Sequence, residues 1–94
     1  MTKERNIKDV IENMYQKYRM TQKITEVKLV NAWADISGPL ISKHTTEIKL
    51  VNKTLYLKFD SAPLKNEMMY RRDSIIEAVN RALGTVAVEK IFIR

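Results

Sequence analysis

Between residues 7 and 18 the apolar side chains Ile7, Val10, Ile11, Met14, Tyr15 and Tyr18 recur at helical spacing and make one stripe. Asn6 is placed to cap the first turn, with Asp9 three residues on, so a first helix is predicted over about 6–20. The stripe has two readings. It packs on the domain's own core, or it docks a partner or a second copy, since the polar Thr21-Gln22-Lys23 behind it would let the helix stand off as an appendage. Thr25 suits a new N-cap, Glu26 the positive end of a helix, and Ile24 a staple against Leu29, which predicts a second helix to Ser37. Leu29, Trp33, Ile36 and Leu40 would be its buried ridge, with Val30 and Ala34 beside it and Lys28, Asn31 and Asp35 in water. Gly38 fits the left-handed residue that closes a helix, and Pro39 the start of a short extra turn through Lys43.

From Thr46 the period changes to two, in TEIKLV and TLYLKF, separated by Asn52-Lys53. A two-residue hairpin loop pairs Val51 with Thr54, and hence Leu50 with Leu55, Ile48 with Leu57 and Thr46 with Phe59 on one face. Lys49 then meets Tyr56 and Glu47 meets Lys58 on the other, so the aliphatics gather together and opposite charges oppose. Asp60 and Ser61 are N-cap residues and Pro63 suits a first turn. A third helix follows, striped by Leu64, Met68, Ile75, Val79 and Leu83 and closed by Gly84. Arg71-Arg72 interrupts its middle, where the helix kinks or splits, with Ser74 able to cap a fresh start. The final TVAVEKIFIR is β-rich; a bulge near Glu89-Lys90 would turn Ile91 and Ile93 inward and Phe92 outward. The order α-α-β-β-α-β describes a small α+β domain, its helices covering one face of a three-stranded sheet.

The 94 residues suffice for one core and one domain, and 45% hydrophobic residues exclude a wholly disordered chain. There is no cysteine, hence no disulfide framework or thiolate metal site, and no apolar run of membrane-spanning length, so a soluble cytoplasmic protein is expected. His44 is a lone histidine with no metal-ligand partner at helical spacing; its expected role is structural, the ring bonding nearby backbone at the turn into the first strand. Gly38 and Pro39 form the joint before it, and Trp33 is the largest core side chain or else a partner anchor. No nucleophile–base constellation or phosphate-cradling glycine loop is visible, so neither enzymatic activity nor any metal, cofactor or small-molecule substrate is expected.

The net charge of +6 instead favours polyanions or acidic protein surfaces. In the hairpin register above, Lys49, Tyr56 and Lys58 share the sheet face away from the helices, and Lys90, Phe92 and Arg94 extend it. Cations alternating with flat rings can grip single-stranded nucleic acid, phosphates on Lys and Arg and bases on the rings. The same face could equally be solvated, its rings covering only their neighbours. Arg71 and Arg72 are further candidates for DNA phosphates, as is Arg81 along the same helix. At the end of the first helix Lys17, Arg19 and Lys23 cluster, and Tyr15, Tyr18, Lys17 and Arg19 are the candidate partner-binding residues.

Trp33, Ile36, Gly38, Leu40 and His44-Thr45, then Leu55-Tyr56-Leu57-Lys58-Phe59-Asp60-Ser61, Glu67-Met68, Val79-Asn80 and Lys90-Ile91-Phe92-Ile93-Arg94, in this order, resemble the DciA family, formerly domain of unknown function 721. The resemblance runs from about Val27 to the C-terminus. It implies a KH-like domain of a bacterial replication initiation factor, nucleoid-associated, that works with the DnaB-type replicative helicase and assists its loading, with DNA binding also attributed to the family. A nucleic-acid-binding KH domain holds the backbone with a Gly-X-X-Gly loop, and Tyr70 to Ser74 contains no glycine, a departure from the RNA-binding pattern. The alternatives are a purely protein-binding adaptor and an RNA-binding KH-like module.

Overall fold

The computed structural model describes residues 7–94. The elements are α1 (Ile7–Ser37), α2 (Pro39–Lys43), β1 (Thr45–Val51), β2 (Thr54–Phe59), α3 (Ala62–Tyr70), α4 (Arg72–Leu83) and β3 (Lys90–Ile93). The sheet order is β1-β2-β3, β1 antiparallel and β3 parallel to β2, and the helices cover one face. This is the α+β, KH-like arrangement expected from the sequence.

Where two helices were expected at the N-terminus there is one, of 31 residues. The reason is phase. Ile7, Tyr18 and Leu29 are eleven residues apart, as are Met14, Thr25 and Ile36, and eleven residues are close to three full turns, so the stripe runs on one side from end to end. Thr25 caps nothing: its hydroxyl donates back to the Thr21 carbonyl, and Thr21 Oγ1 to that of Lys17, each at 2.9 Å, a use of Thr that leaves the helix unbroken. Ile24 is exposed and staples nothing, and the expected Asn6 cap lies outside the described residues. Leu29 and Trp33 are buried, but Val30, Ala34 and Leu40 are exposed, Leu40 because α2 is a separate turn. Gly38 does adopt positive φ (92°), yet with ψ 157° it lies outside the left-handed helical region expected of it, in a conformation that favours glycine.

The hairpin register is as derived from Glu47 to Val51, around a loop in which Asn52 (φ 49°) and Lys53 (φ 62°) both take left-handed conformations that match the twist of the strands. At its far end Thr45, not Thr46, pairs with Phe59, because the register shifts between Thr45 and Glu47. That shift leaves Thr46 Oγ1 to donate to the Lys58 carbonyl. It also brings Thr45 within 3.0 Å of the Trp33 indole Nε1–H, which donates to its Oγ1, while Thr45 donates in turn to the Ile41 carbonyl at 2.6 Å.

Ser61 caps α3, accepting from Leu64 N. The helix expected to kink does split, with Arg71 (φ −107°, ψ 17°) as the junction; α4 starts there and not at Ser74. Met68, Ile75 and Val79 are buried on the predicted stripe, and Gly84 closes α4 in the left-handed conformation. Residues 85–89 are not strand, so there is no bulged extension: Asn80 holds them as a loop. Its Oδ1 accepts from Ala87 N and Val88 N and its Nδ2 donates to the Val88 carbonyl, all at 2.9 Å. The loop seats Val88 in the core and delivers β3 in the expected sense, Ile91 buried and Phe92 outward.

Thr45→Val should lower stability by about 1–3 kcal/mol in urea unfolding, because it leaves a buried indole N–H without an acceptor. Asn80→Ala, losing three hydrogen bonds, should cost about 2–4 kcal/mol in the same assay. Asn80→Asp, which still accepts from two amides, should cost less.

Candidate nucleic-acid interface

The outer face of the sheet is open because every helix lies on the other side, and strand alternation decides what it carries. Cross-strand pairing sets Lys49 beside Tyr56 and Tyr56 beside Phe92, Thr54 beside Lys90, and Glu47 beside Lys58. Arg94 follows the last pair, its backbone N–H bonded to Leu57 O and its carbonyl accepting from Phe59 N. Six of the predicted DNA-binding residues, Lys49, Tyr56, Lys58, Lys90, Phe92 and Arg94, are thereby brought onto one surface.

The two rings stack, centroids 5.5 Å apart and planes 12° from parallel, and the Arg94 guanidinium lies 5.7 Å from the Tyr56 ring centre. Tyr56, contacted by both, is half-buried. Phe92, on the edge strand and 55% exposed, is the ring with open surface. Among the described residues Lys49, Lys58, Lys90 and Arg94 enter no ion pair, whereas Arg71 is held by Glu67 at 2.8 Å and Arg81 faces Glu77 at 3.6 Å. The sheet cations keep their charge available to an incoming anion.

Arg71 and Arg72 do not join this surface. They sit at the α3–α4 junction on the helical side, Arg71 at the rim of a cleft of about 160 Å³ lined by Trp33, Ile36, Met68 and Ile75. Without glycine, the junction is a single non-helical residue and not a loop that could wrap a backbone.

The partner candidates lie on α1. The interpretation of its N-terminal stripe as a core-packing face is wrong: residues 7 to 21 are all exposed. The helix leaves the domain at Tyr18, whose hydroxyl donates to Asn52 Oδ1 at 2.6 Å and accepts from Gln22 Nε2 at 2.9 Å. Arg19 lies 5.9 Å over the Tyr15 ring. Arg19 and Lys23 line a groove with Lys49 between α1 and β1, where Glu26 accepts the Leu50 N–H at 2.9 Å and so occupies part of the sheet edge.

His44 is bonded differently from what was expected: Nδ1–H donates to the side chain of Asp60 at 2.8 Å, while the Asp60 N–H donates to the His44 carbonyl at 3.0 Å. The link ties the start of β1 to the end of β2. Sequence reasoning named Asp60 and Glu26 only as helix-start residues and gave Asn80 no role, and so missed the contacts that each makes outside its own turn of chain. Among the described residues no three His, Cys, Asp or Glu side chains are grouped to hold a metal, and no helix is long and apolar enough to cross a membrane.

No curated protein matches the chain. The family model described as Dna[CI] antecedent, DciA, matches residues 6–93, which covers essentially the whole sequence, and the chain belongs to the DciA family.

Proposed function

We propose that this protein is a non-enzymatic replication initiation factor that binds single-stranded or forked DNA and a DnaB-type replicative helicase, and assists loading of the helicase. Family membership supports the helicase role. The observation that carries the DNA role is the open sheet face, with a ring free to stack and around it four cations that enter no ion pair among the described residues. Bases would stack on Phe92 and the exposed part of Tyr56, while phosphates meet Lys49, Lys58, Lys90 and Arg94. Arg71 and Arg72, on the opposite layer, can meet only DNA that passes round the domain, such as the second arm of a fork. Protein contact falls to the exposed apolar stripe of α1 with Tyr15, Tyr18, Lys17 and Arg19. An adaptor of this kind shifts the helicase toward a DNA-engaged state only by binding that state more tightly.

Fluorescence anisotropy with a labelled single-stranded oligonucleotide tests the DNA surface. With four phosphate contacts, log affinity should fall against log salt with a slope of about −3. Lys49→Glu with Lys58→Glu should abolish binding while leaving the unfolding transition in place, and Phe92→Ala should weaken it about 5- to 100-fold. Unchanged affinity in the double variant would remove the sheet face from the proposal, and binding only in the presence of helicase would make the protein a protein-binding adaptor. Arg71→Glu with Arg72→Glu should weaken forked DNA and spare the single strand.

A further inference from the structure

The row of side chains that crosses the outer sheet face leads off the sheet at β1. Phe92 pairs with Tyr56 and Tyr56 with Lys49, so the stacked rings and the lysine form one line across the strands, about 10 Å from β3 to β1. β1 is an edge strand, and beyond it the flank of α1 and that edge enclose an open groove of about 470 Å³, which Lys49 also lines. Lys49 thus belongs to both surfaces. We infer, on the reading of the sheet face as a DNA surface, that this groove is the strand's next contact: a single strand laid over Tyr56 and Phe92 continues past Lys49 into the groove, where Arg19 and Lys23 hold its phosphates.

Helix geometry places the two cations. Arg19 follows Tyr18 by one residue, which turns it about 100° away from the apolar stripe, and Lys23 stands one turn further along the same flank. Both line the groove, with Gln16 beside them. About 6 Å of axial rise separates them, a step comparable to that between successive phosphates of an extended strand, so each meets a phosphate of its own. Arg19 also lies 5.9 Å over the Tyr15 ring, which limits the freedom of its guanidinium. Arg19 is thereby taken from the protein contact and given to the strand.

Charge selects a polyanion. Arg19, Lys23 and Lys49 give the groove three positive charges against one, that of Glu26, and among the described residues none of the three enters an ion pair. Glu26 is turned to the sheet edge, where it accepts the Leu50 N–H at 2.9 Å and ties α1 to β1. No aromatic ring is among the lining residues, so bases have nothing to stack on and the contact is to the backbone. An acidic peptide would satisfy the same three charges but has no use for the line of rings that ends at Lys49. A nucleic-acid strand uses both.

Arg19→Gln with Lys23→Gln tests the groove, since it keeps good helix formers on an exposed flank. Two phosphates beyond the four of the sheet should bring the slope of log affinity against log salt to about −4 for a labelled strand of about 12 nucleotides. In the variant the slope should return to about −3, with affinity about tenfold lower near 0.1 M salt. Contact is read directly from Gln16→Cys, in a chain that otherwise has no cysteine. Carrying a photoreactive group, it should cross-link to the strand, and less so once Arg19 and Lys23 are replaced. Phe92→Ala should weaken binding by the same factor with and without those replacements. A Phe92→Ala variant that binds normally, with the slope difference intact, would fail the sheet reading alone. Unchanged slope and affinity on loss of Arg19 and Lys23 would overturn the groove, as would a probe at position 16 that cross-links to purified replicative helicase and not to the strand.

Discussion

Trp33 is held at two levels, and the relation of helix to sheet follows from how. Its ring is buried between α1 and the strands, and its one polar atom donates to Thr45 Oγ1, which donates onward to the Ile41 carbonyl. A single chain of hydrogen bonds therefore joins α1, α2 and β1. A buried indole N–H needs an acceptor, and only a hydroxyl-bearing or similar side chain at position 45 supplies it in this geometry. The register shift between Thr45 and Glu47 is the local concession that puts Thr45 there. With α1 fixed at that end, Glu26 on the Leu50 amide and Tyr18 on Asn52 repeat the attachment along β1, and the direction in which the helix leaves the domain is set.

Much of this was legible in the sequence wherever the pattern is local. The hairpin follows from period two and a two-residue loop, and its register from requiring aliphatics to face one way; five of its pairs stand as derived. Ser61, Pro63 and Gly84 mark the bounds of the helical pair for reasons confined to single turns of chain. The exposed rings and cations of the sheet face follow from the same alternation. The failures occur where a side chain had two possible partners. Thr25 can cap a helix or bond back to residue 21, and the polar run Thr21-Gln22-Lys23 can be a linker or simply the water-facing part of a turn. Extending the stripe by eleven residues, from Ile7 to Tyr18 to Leu29, shows no phase break at 21–24, and that was the signal for one helix.

The other misses are long-range polar contacts. Asn80 organises residues 85–89 from eight positions away, and nothing in the alternation of TVAV distinguishes a strand from a loop pinned at Ala87 and Val88. His44 and Asp60 are sixteen residues apart, so the histidine's partner appears only once the hairpin has closed between them. Charge alone assigns Arg71 and Arg72 to DNA, on the third helix and apart from the sheet cations. Fold topology separates them, because a helical pair on one face of a sheet cannot present its junction on the other.

The arrangement has a functional consequence in the placement of unsatisfied surface. A domain of this size has limited core, and the eleven buried side chains leave none for the first half of α1. That half is kept helical by continuity with a well-anchored second half and is left apolar on the side that carries no contact. The sheet face is polar, cationic and partly aromatic, and lies on β2 and β3 as well as β1, away from the projecting stripe. Charged, stacked surface suits a strongly hydrated polyanion, whose binding weakens with salt, whereas an apolar helical stripe suits a protein surface and is insensitive to salt by comparison. The two surfaces are thus separable by ionic strength alone, and only at the α1–β1 groove, where Arg19 and Lys23 approach Lys49, can occupation of one alter the field felt at the other.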